Sequence, residues 1–353
     1  MKKFTAILSL VLLLSFTEKI AAQAVKWTEK KANDWYAPLP WMVGANYTPA
    51  YAINQLEFWQ SATFNPSAID KELALAEGLG MKTLRVYLHD LAWKQDAPGL
   101  KKNINTFLTI AAKHHIWPLI VFFDDCWNPE GAVGVQPEPK PGVHNSGWLR
   151  SPLRAVHDDP NQWGYLKAYV QDILKTFGKD KRILLWDLYN EPGNNGYGNK
   201  SMPLLKAVFA WAREINPTQP LSAGVWDDSL KDLNAFQVEN SDVITYHNYE
   251  KPPSHQKRID ELKKYNRPLI CTEYMARRNG STFEVILPIL KEQKIAAINW
   301  GLVDGKTNTK YAWDEPIKDG SDPKLWFHEI FKKDGTPYKT EETDLIKSLT
   351  GKK

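Results

Sequence analysis

The sequence predicts a (β/α)8 barrel that forms a single domain, and three observations point to it. Eight short apolar runs, rich in Val, Ile, Leu and aromatic residues, recur along the chain with helical patterns between them. Runs of this kind fit parallel strands that are buried on both faces. The long connections follow the third and eighth runs, on the C-terminal side of strands, where such barrels build their sites. The 353 residues show no internal repeat, low-complexity tract or interdomain linker, and this length suits one barrel.

The strand-like runs are Met42–Tyr47, Thr83–Leu88, Trp117–Asp124, Ile183–Asn190, Leu221–Trp226, Val243–Tyr249, Pro268–Tyr274 and Ala296–Val303. Helical spacing fills the gaps. Ile69, Leu73, Ala76 and Leu79 mark a helix over Ser67–Leu79, and Ile104, Leu108, Ala111 and Ala112 mark one over Leu100–His114. Gln162–Phe177, Met202–Ile215, His255–Tyr265 and Thr282–Gln293 follow in the same way. The fifth helix, near Ser229–Phe236, has a weak pattern, and the eighth is broken by Pro323 and the segment Phe327–Phe331. An open doubly wound sheet is the competing architecture. It asks for a glycine-rich turn after the first strand, and Gly44-Ala45-Asn46-Tyr47 lacks that fingerprint.

Residues 1–24 read as a secretory signal peptide, with a charged start at Lys2 and Lys3, an apolar stretch from Phe4 to Phe16, and Ala22-Gln23-Ala24 as the cleavage site. A secreted or periplasmic protein is expected, and no later segment is suited to span a membrane. Removing the signal takes three lysines and one glutamate, so the formal charge falls from +4 to +2. So weak a balance, with no basic stripe, gives no reason to expect a nucleic-acid partner. The two cysteines, Cys126 and Cys271, follow strands on opposite sides of the predicted barrel, so a disulfide between them is not expected. They have no metal-ligand spacing, and no metal or cofactor is called for. About half of the fifteen tryptophans are expected to pack in the core. The rest offer flat faces on which sugars stack. A monomer is expected.

The site candidates sit at strand ends. Trp186-Asp187-Leu188-Tyr189-Asn190-Glu191-Pro192 closes the fourth run on an acid, and Pro268-Leu269-Ile270-Cys271-Thr272 closes the seventh on Glu273. Breaking a glycosidic bond takes an acid to protonate the leaving oxygen and a carboxylate on the other face of the anomeric carbon. Glu191 and Glu273 can supply both across the mouth of a barrel. Arg85 lies inside the second run and needs a buried partner, either the nucleophilic carboxylate or another barrel acid such as Asp187. Tyr249 is placed to bond the nucleophile, His247 to bond a sugar hydroxyl or the acid, and Trp300 to stack under the sugar being cleaved. Trp127, Trp148 and Arg150 lie in the loop after the third strand, and Tyr311 and Trp313 in the loop after the eighth.

This set resembles glycoside hydrolase family 5, the cellulase-like branch of the retaining (β/α)8 glycosidases, over essentially the whole chain after the signal. The shared pattern is an arginine in strand two, Asn-Glu-Pro after strand four, His-x-Tyr in strand six, glutamate after strand seven and tryptophan after strand eight. It matches Arg85, Asn190-Glu191-Pro192, His247 and Tyr249, Glu273 and Trp300. The resemblance implies that Glu191 is the acid/base, Glu273 the nucleophile, and Asn190 a donor to the sugar 2-hydroxyl. It implies a secreted hydrolase of β-linked plant-type polysaccharides or their oligosaccharides. One element departs. The family's usual histidine near the end of strand three is replaced by Phe123-Asp124-Asp125-Cys126-Trp127. Asp124 and Trp127 are then expected to contact substrate, with His89, in His89-Asp90, filling some of the vacated space. Two other readings compete. One is a carbohydrate-binding barrel without turnover, which the presence of both glutamates disfavours. The other is a metal-dependent hydrolase, which would want His-x-His near the first strand, where Met42–Tyr47 has no histidine.

Overall fold

The computed structural model describes residues 26–352, so the signal read over residues 1–24 lies outside the described residues. All eight expected strands form: β1 (Val43–Asn46), β2 (Thr83–Tyr87), β3 (Leu119–Asp124), β4 (Leu185–Asn190), β5 (Leu221–Ser222), β6 (Ile244–His247), β7 (Leu269–Tyr274) and β8 (Ala296–Trp300). They pair in parallel in the order β5-β4-β3-β2-β1-β8-β7-β6. A parallel bridge between Val225 and Tyr246 joins the two ends and brings the barrel near closure. β5 is much shorter than the run Leu221–Trp226. The Gly224 carbonyl accepts from Gln237 Nε2 at 2.5 Å, which engages it outside the strand ladder.

Helices cover the barrel at Pro66–Gly78, Asp90–Lys113, Trp163–Phe177, Met202–Ile215, Lys231–Asn240, Pro252–Lys263, Phe283–Glu292 and Thr340–Thr350. The second departs from expectation. It begins at Asp90 and breaks at Asp96, whose backbone is extended (φ −153°, ψ 77°). The Asp96 carboxylate accepts from Gly99 N at 2.9 Å, so it caps the helical stretch that the spacing had marked. The eighth helix comes after the Phe327–Phe331 segment, and Phe331 bridges to Val303 just past β8.

A helix that the sequence reading did not anticipate, Glu29–Tyr36, closes the bottom of the barrel. Thr28 caps it by accepting from Lys31 N. Its Tyr36 packs with Met42, Leu119, Leu185, Val243, Ile270 and Ala296, all at or near strand starts. The Tyr36 hydroxyl accepts from Ala296 N (3.0 Å) and donates to Lys294 O (2.9 Å), which ties the plug to β8. With the N-terminal mouth filled by apolar side chains, the C-terminal mouth is left for polar chemistry. Among the described residues, no helix is long and apolar enough to cross a membrane.

Candidate active site

Polar side chains fill the upper barrel around Arg85, which is fully buried on β2. A guanidinium there is tolerable only if its donors are satisfied. Nε and Nη2 donate to Asp187 Oδ2 (2.9 and 2.7 Å), Nη2 also to Asn190 Oδ1 (2.7 Å), and Nη1 to Asn46 Oδ1 (3.0 Å) and Glu273 Oε1 (2.7 Å). Both partners offered by the sequence for Arg85 are therefore used. Asp187 anchors the guanidinium from β4, and Glu273 receives it from the end of β7.

Glu273 is held on both oxygens. The Tyr87 hydroxyl donates to Oε1 at 3.0 Å and the Tyr249 hydroxyl to Oε2 at 2.8 Å. Glu191 meets a different set of donors. Asn194 Nδ2 donates to Oε2 at 2.5 Å and the Cys126 thiol to the same oxygen at 3.2 Å, while His247 Nδ1 lies 2.8 Å from Oε1. One oxygen each of Glu191 and Glu273 and a ring nitrogen of His247 all lie within 4.8 Å of one another. The two carboxylates thus share one cleft at close range.

Burial drives the electrostatics. It raises the Glu191 carboxyl above its ordinary range, against hydrogen bonds from Cys126 and Asn194. Burial raises Glu273 as well, and the neighbouring Glu191 adds to the rise, while His247, the Arg85 charge and the Tyr249 hydroxyl pull it back. Desolvation lowers His247 to about 4, so this ring is neutral at neutral pH, and its Nδ1 is the nitrogen that faces both carboxylates. Asp124 is pushed by burial up to about 6, opposed by donors from Asn190, Trp148 and Cys126.

Local backbone geometry aims Glu191. Glu191 has φ +43°, in the left-handed region that non-glycine residues rarely enter. Such strain persists only where surroundings hold it, and it costs about 1–3 kcal/mol. The surroundings here centre on buried Asp125. Its carboxylate accepts from Tyr189 OH (2.7 Å), Gly193 N (2.8 Å), Ser201 and Arg150, and so ties the turn after β4 to the end of β3. Asn190, one residue before the turn, donates to Asp124 Oδ1 at 3.0 Å.

A cavity of about 410 Å³ opens over this layer. Of the residues expected from sequence, Asp124, Trp127, Asn190, Glu191, Tyr249, Glu273 and Trp300 line it. Arg85 and His247 lie in contact with the two glutamates, supporting them without lining the cavity. His89 does not join the site. Its ring caps the helix at Asp90 by accepting from Leu91 N (3.2 Å) and bonds Arg150 O (3.1 Å), so its hydrogen bonds are spent on the loop scaffold. The space near Glu191 at the end of β3 is occupied by Cys126 instead. Further lining residues, not singled out as contacts, are Cys126, His144, Asn145, Trp148, Asn194, Asn195, Trp226, Trp313 and His328. Tyr87 is the one missing residue with a readable signal. It lies two positions after Arg85 on the same strand and therefore on the same face. Both cysteines are buried and free, as expected.

Glu191, His247 and Glu273 are also close enough together to ligate a metal ion. The Glu273 oxygens are already taken by Arg85, Tyr87 and Tyr249, however, and a guanidinium beside the group opposes a second cation there. The donor set suits a charged carboxylate better than a metal.

Residues 142–306 match the family model Cellulase (glycosyl hydrolase family 5). No curated protein matches the sequence significantly. Solved structures with the same barrel include the β-mannanase from the blue mussel Mytilus edulis, with a TM-score of 0.54 at 13% identity over 78% of this chain and 88% of that one. GH5_18 from Streptomyces cattleya, solved in complex with GlcNAc, has a TM-score of 0.61 at 11% identity over 88% and 79%. The exo-β-1,4-mannosidase Op5Man5 from Opitutaceae bacterium strain TAV5 has 0.59 at 17% identity over 88% and 60%. Identities this low carry the fold alone. The family match spans both Glu191 and Glu273, so the stretch that carries the two carboxylates is recognised as glycosyl hydrolase family 5.

Proposed function

We propose that the protein is a retaining glycosidase that cleaves β-linked oligo- or polysaccharides of plant type by double displacement, with Glu273 as nucleophile and Glu191 as acid/base. The observation that carries this reading is the unequal treatment of two neighbouring carboxyls. Glu273 receives a full guanidinium charge at 2.7 Å and two tyrosine hydroxyls. Glu191 receives only neutral groups. The proton shared between them therefore rests on Glu191, which is the arrangement an acid next to a nucleophile needs. The approach of one oxygen of each carboxyl to within 4.8 Å of the other supports retention. Carboxyl groups about 5–5.5 Å apart suit direct attack, whereas inverting pairs stand roughly 6.5–9.5 Å apart to admit a water.

In the first step Glu273 attacks the anomeric carbon while Glu191 protonates the departing oxygen. In the second, Glu191, now a carboxylate, takes a proton from water, which displaces Glu273 and restores it. Asn190, fixed by Arg85 and Asp124, is positioned as a donor to the sugar 2-hydroxyl, and Trp300 as a platform under the ring. The segment 1–24 fits a leader that directs the enzyme out of the cytoplasm.

β-Mannosides head the substrate candidates, because mannanases and a mannosidase are among the similar barrels. A panel of β-mannan, xylan, β-glucan and their short oligosaccharides tests the reading, with Glu273→Ala as the control. Hydrolysis of at least one member, lost in the variant and unaffected by chelator, supports it. Binding without turnover across the panel would point instead to a carbohydrate-binding barrel.

A further inference from the structure

One side of the cavity is closed by chain that the two carboxylates do not use. The segments after β3 and β8 are stitched together across the mouth. Asn145 N donates to Thr307 O (2.8 Å), Ile317 N to Gly142 O (3.0 Å) and Asn308 Nδ2 to Lys140 O (3.1 Å). The segment after β1 joins them, with Lys306 N donating to Ala50 O (3.0 Å) and Asn54 Nδ2 to Gly147 O (2.9 Å). On the inside of this collar runs an unbroken row of rings. Trp127 stands 5.4 Å from His144, His144 5.6 Å from His328, His328 5.7 Å from Trp313, and Trp313 5.1 Å from Tyr249. The row leads from the end of β3 round to the end of β6. The lip beside Glu191 is different. It is made of Asn194, Asn195 and Trp226, partly or fully open to solvent, whereas the row holds the buried rings of His144 and His328 at its centre with the more open Trp127, Tyr249 and Trp313 around them.

The wall also carries polar groups that nothing in the protein satisfies. His328 and Asn145 line the cavity, each about 99% buried, and His328 Nε2 and Asn145 Oδ1 have no hydrogen-bond partner. His328 Nδ1 lies 2.6 Å from Met275 O, which only accepts, so Nδ1 holds the proton and Nε2 presents a lone pair. Leaving such groups unpaired in a buried wall is costly, and a ligand with hydroxyls relieves that cost. At about 410 Å³ the cavity sits near the low end of the roughly 300–1,000 Å³ range of small-molecule sites, room for about one or two sugar rings and not for a polymer running through.

We propose that this wall is a blind terminal subsite and that the enzyme acts from the non-reducing end of its substrate. The terminal sugar enters with its hydroxyls toward His328 Nε2 and Asn145. The leaving portion lies over Asn194, Asn195 and Trp226, on the side where Glu191 delivers its proton. Each turnover breaks one glycosidic bond, with water giving its hydroxyl to the freed sugar and its hydrogen to the leaving oxygen. This rests on the hydrolase reading above.

The test uses β-1,4-linked tetrasaccharides of mannose, glucose and xylose, each carrying a fluorescent amine at the reducing end. The wild-type enzyme should produce labelled trisaccharide first and then labelled disaccharide, with free monosaccharide from the start. Labelled and unlabelled disaccharide ahead of labelled trisaccharide would mean internal cleavage, and labelled monosaccharide with unlabelled trisaccharide would mean cleavage next to the label; either would overturn the blind subsite while leaving the hydrolase intact. No cleavage of any tetrasaccharide would overturn both. His328→Phe, which removes the lone pair, should lower kcat/KM by roughly tenfold on tetrasaccharide and aryl monoglycoside alike, because its contact is with the terminal ring. A loss confined to the tetrasaccharide would place another ring against the wall and overturn the assignment.

Discussion

Replacing Glu273 with Gln removes one negative charge and keeps the shape of the side chain. In the native site an oxygen of Glu273 lies within 4.8 Å of one on Glu191. At an effective dielectric of about 20, a charge about 5 Å away is worth about 3 kcal/mol, on the order of a hundredfold in the proton-binding constant. A negative neighbour opposes ionisation, so its removal must lower the Glu191 pKa. The desolvation that also raises Glu191 remains in the variant, so the value falls without losing the whole of its elevation. Carbon-13 NMR of the labelled Glu191 carboxyl, followed through a pH titration, reads the shift directly. The wild-type pair should titrate as one coupled system and the variant as a single group. An unchanged or higher Glu191 pKa in Glu273→Gln would refute the close pair and the division of roles built on it.

Three further outcomes are expected. Glu191→Ala should keep glycosylation rates on substrates with activated aryl leaving groups and lose roughly 10²–10⁴-fold on unactivated ones, and equal losses on both would contradict its role as acid. Arg85→Met leaves Asp187 and Glu273 buried without their cation and should cost about 3–5 kcal/mol in denaturant unfolding, so a loss under about 1 kcal/mol would show that the guanidinium is not what holds them. His144 is lowered by burial from 6.5 to about 4. The unfolded chain therefore binds more protons there between those values, and the stability this ring contributes is present above about pH 6.5 and lost as pH falls toward 4. The loss is of order 3 kcal/mol, and His144→Gln should flatten that part of the stability–pH curve measured by chemical denaturation. A variant whose stability falls as steeply as the wild type would assign the slope to other groups.

The fold was readable because a parallel strand buried on both faces announces itself as an apolar run, and eight such runs separated by helical spacing leave few alternatives. The strand ends were readable for the same reason. A barrel projects them into one mouth, so Glu191, Glu273, Arg85, Asn190, His247, Tyr249 and Trp300 came together without any knowledge of the loops. Failures cluster where periodicity carries no information. His89 follows a strand as the others do, yet its ring found a helix N-terminus one residue away and the carbonyl of Arg150, a pairing set by a loop 61 residues distant. His328 and Asn145 reach the cavity only because the segments after β8 and β3 hold each other by backbone hydrogen bonds, which leave no trace in residue type. Cys126 is nearly invisible as a site residue by spacing, and the turn at Asp125 brings its thiol within 3.2 Å of Glu191. The plug at Glu29–Tyr36 lay just ahead of the first strand and carried a pattern too short to stand out.

The central claim is that Glu273 becomes covalently attached to sugar during turnover. A 2-deoxy-2-fluoro glycoside with an activated leaving group slows the second step more than the first and so accumulates the attached species. Incubation of the enzyme with the manno and gluco forms of this reagent, followed by peptide mass spectrometry, tests the claim most directly. One fluorosugar per chain, placed by fragmentation on Glu273 and absent from Glu273→Gln, is the predicted result. A label on Glu191 or another residue, or the absence of any label from a reagent that the enzyme demonstrably hydrolyses, would contradict it.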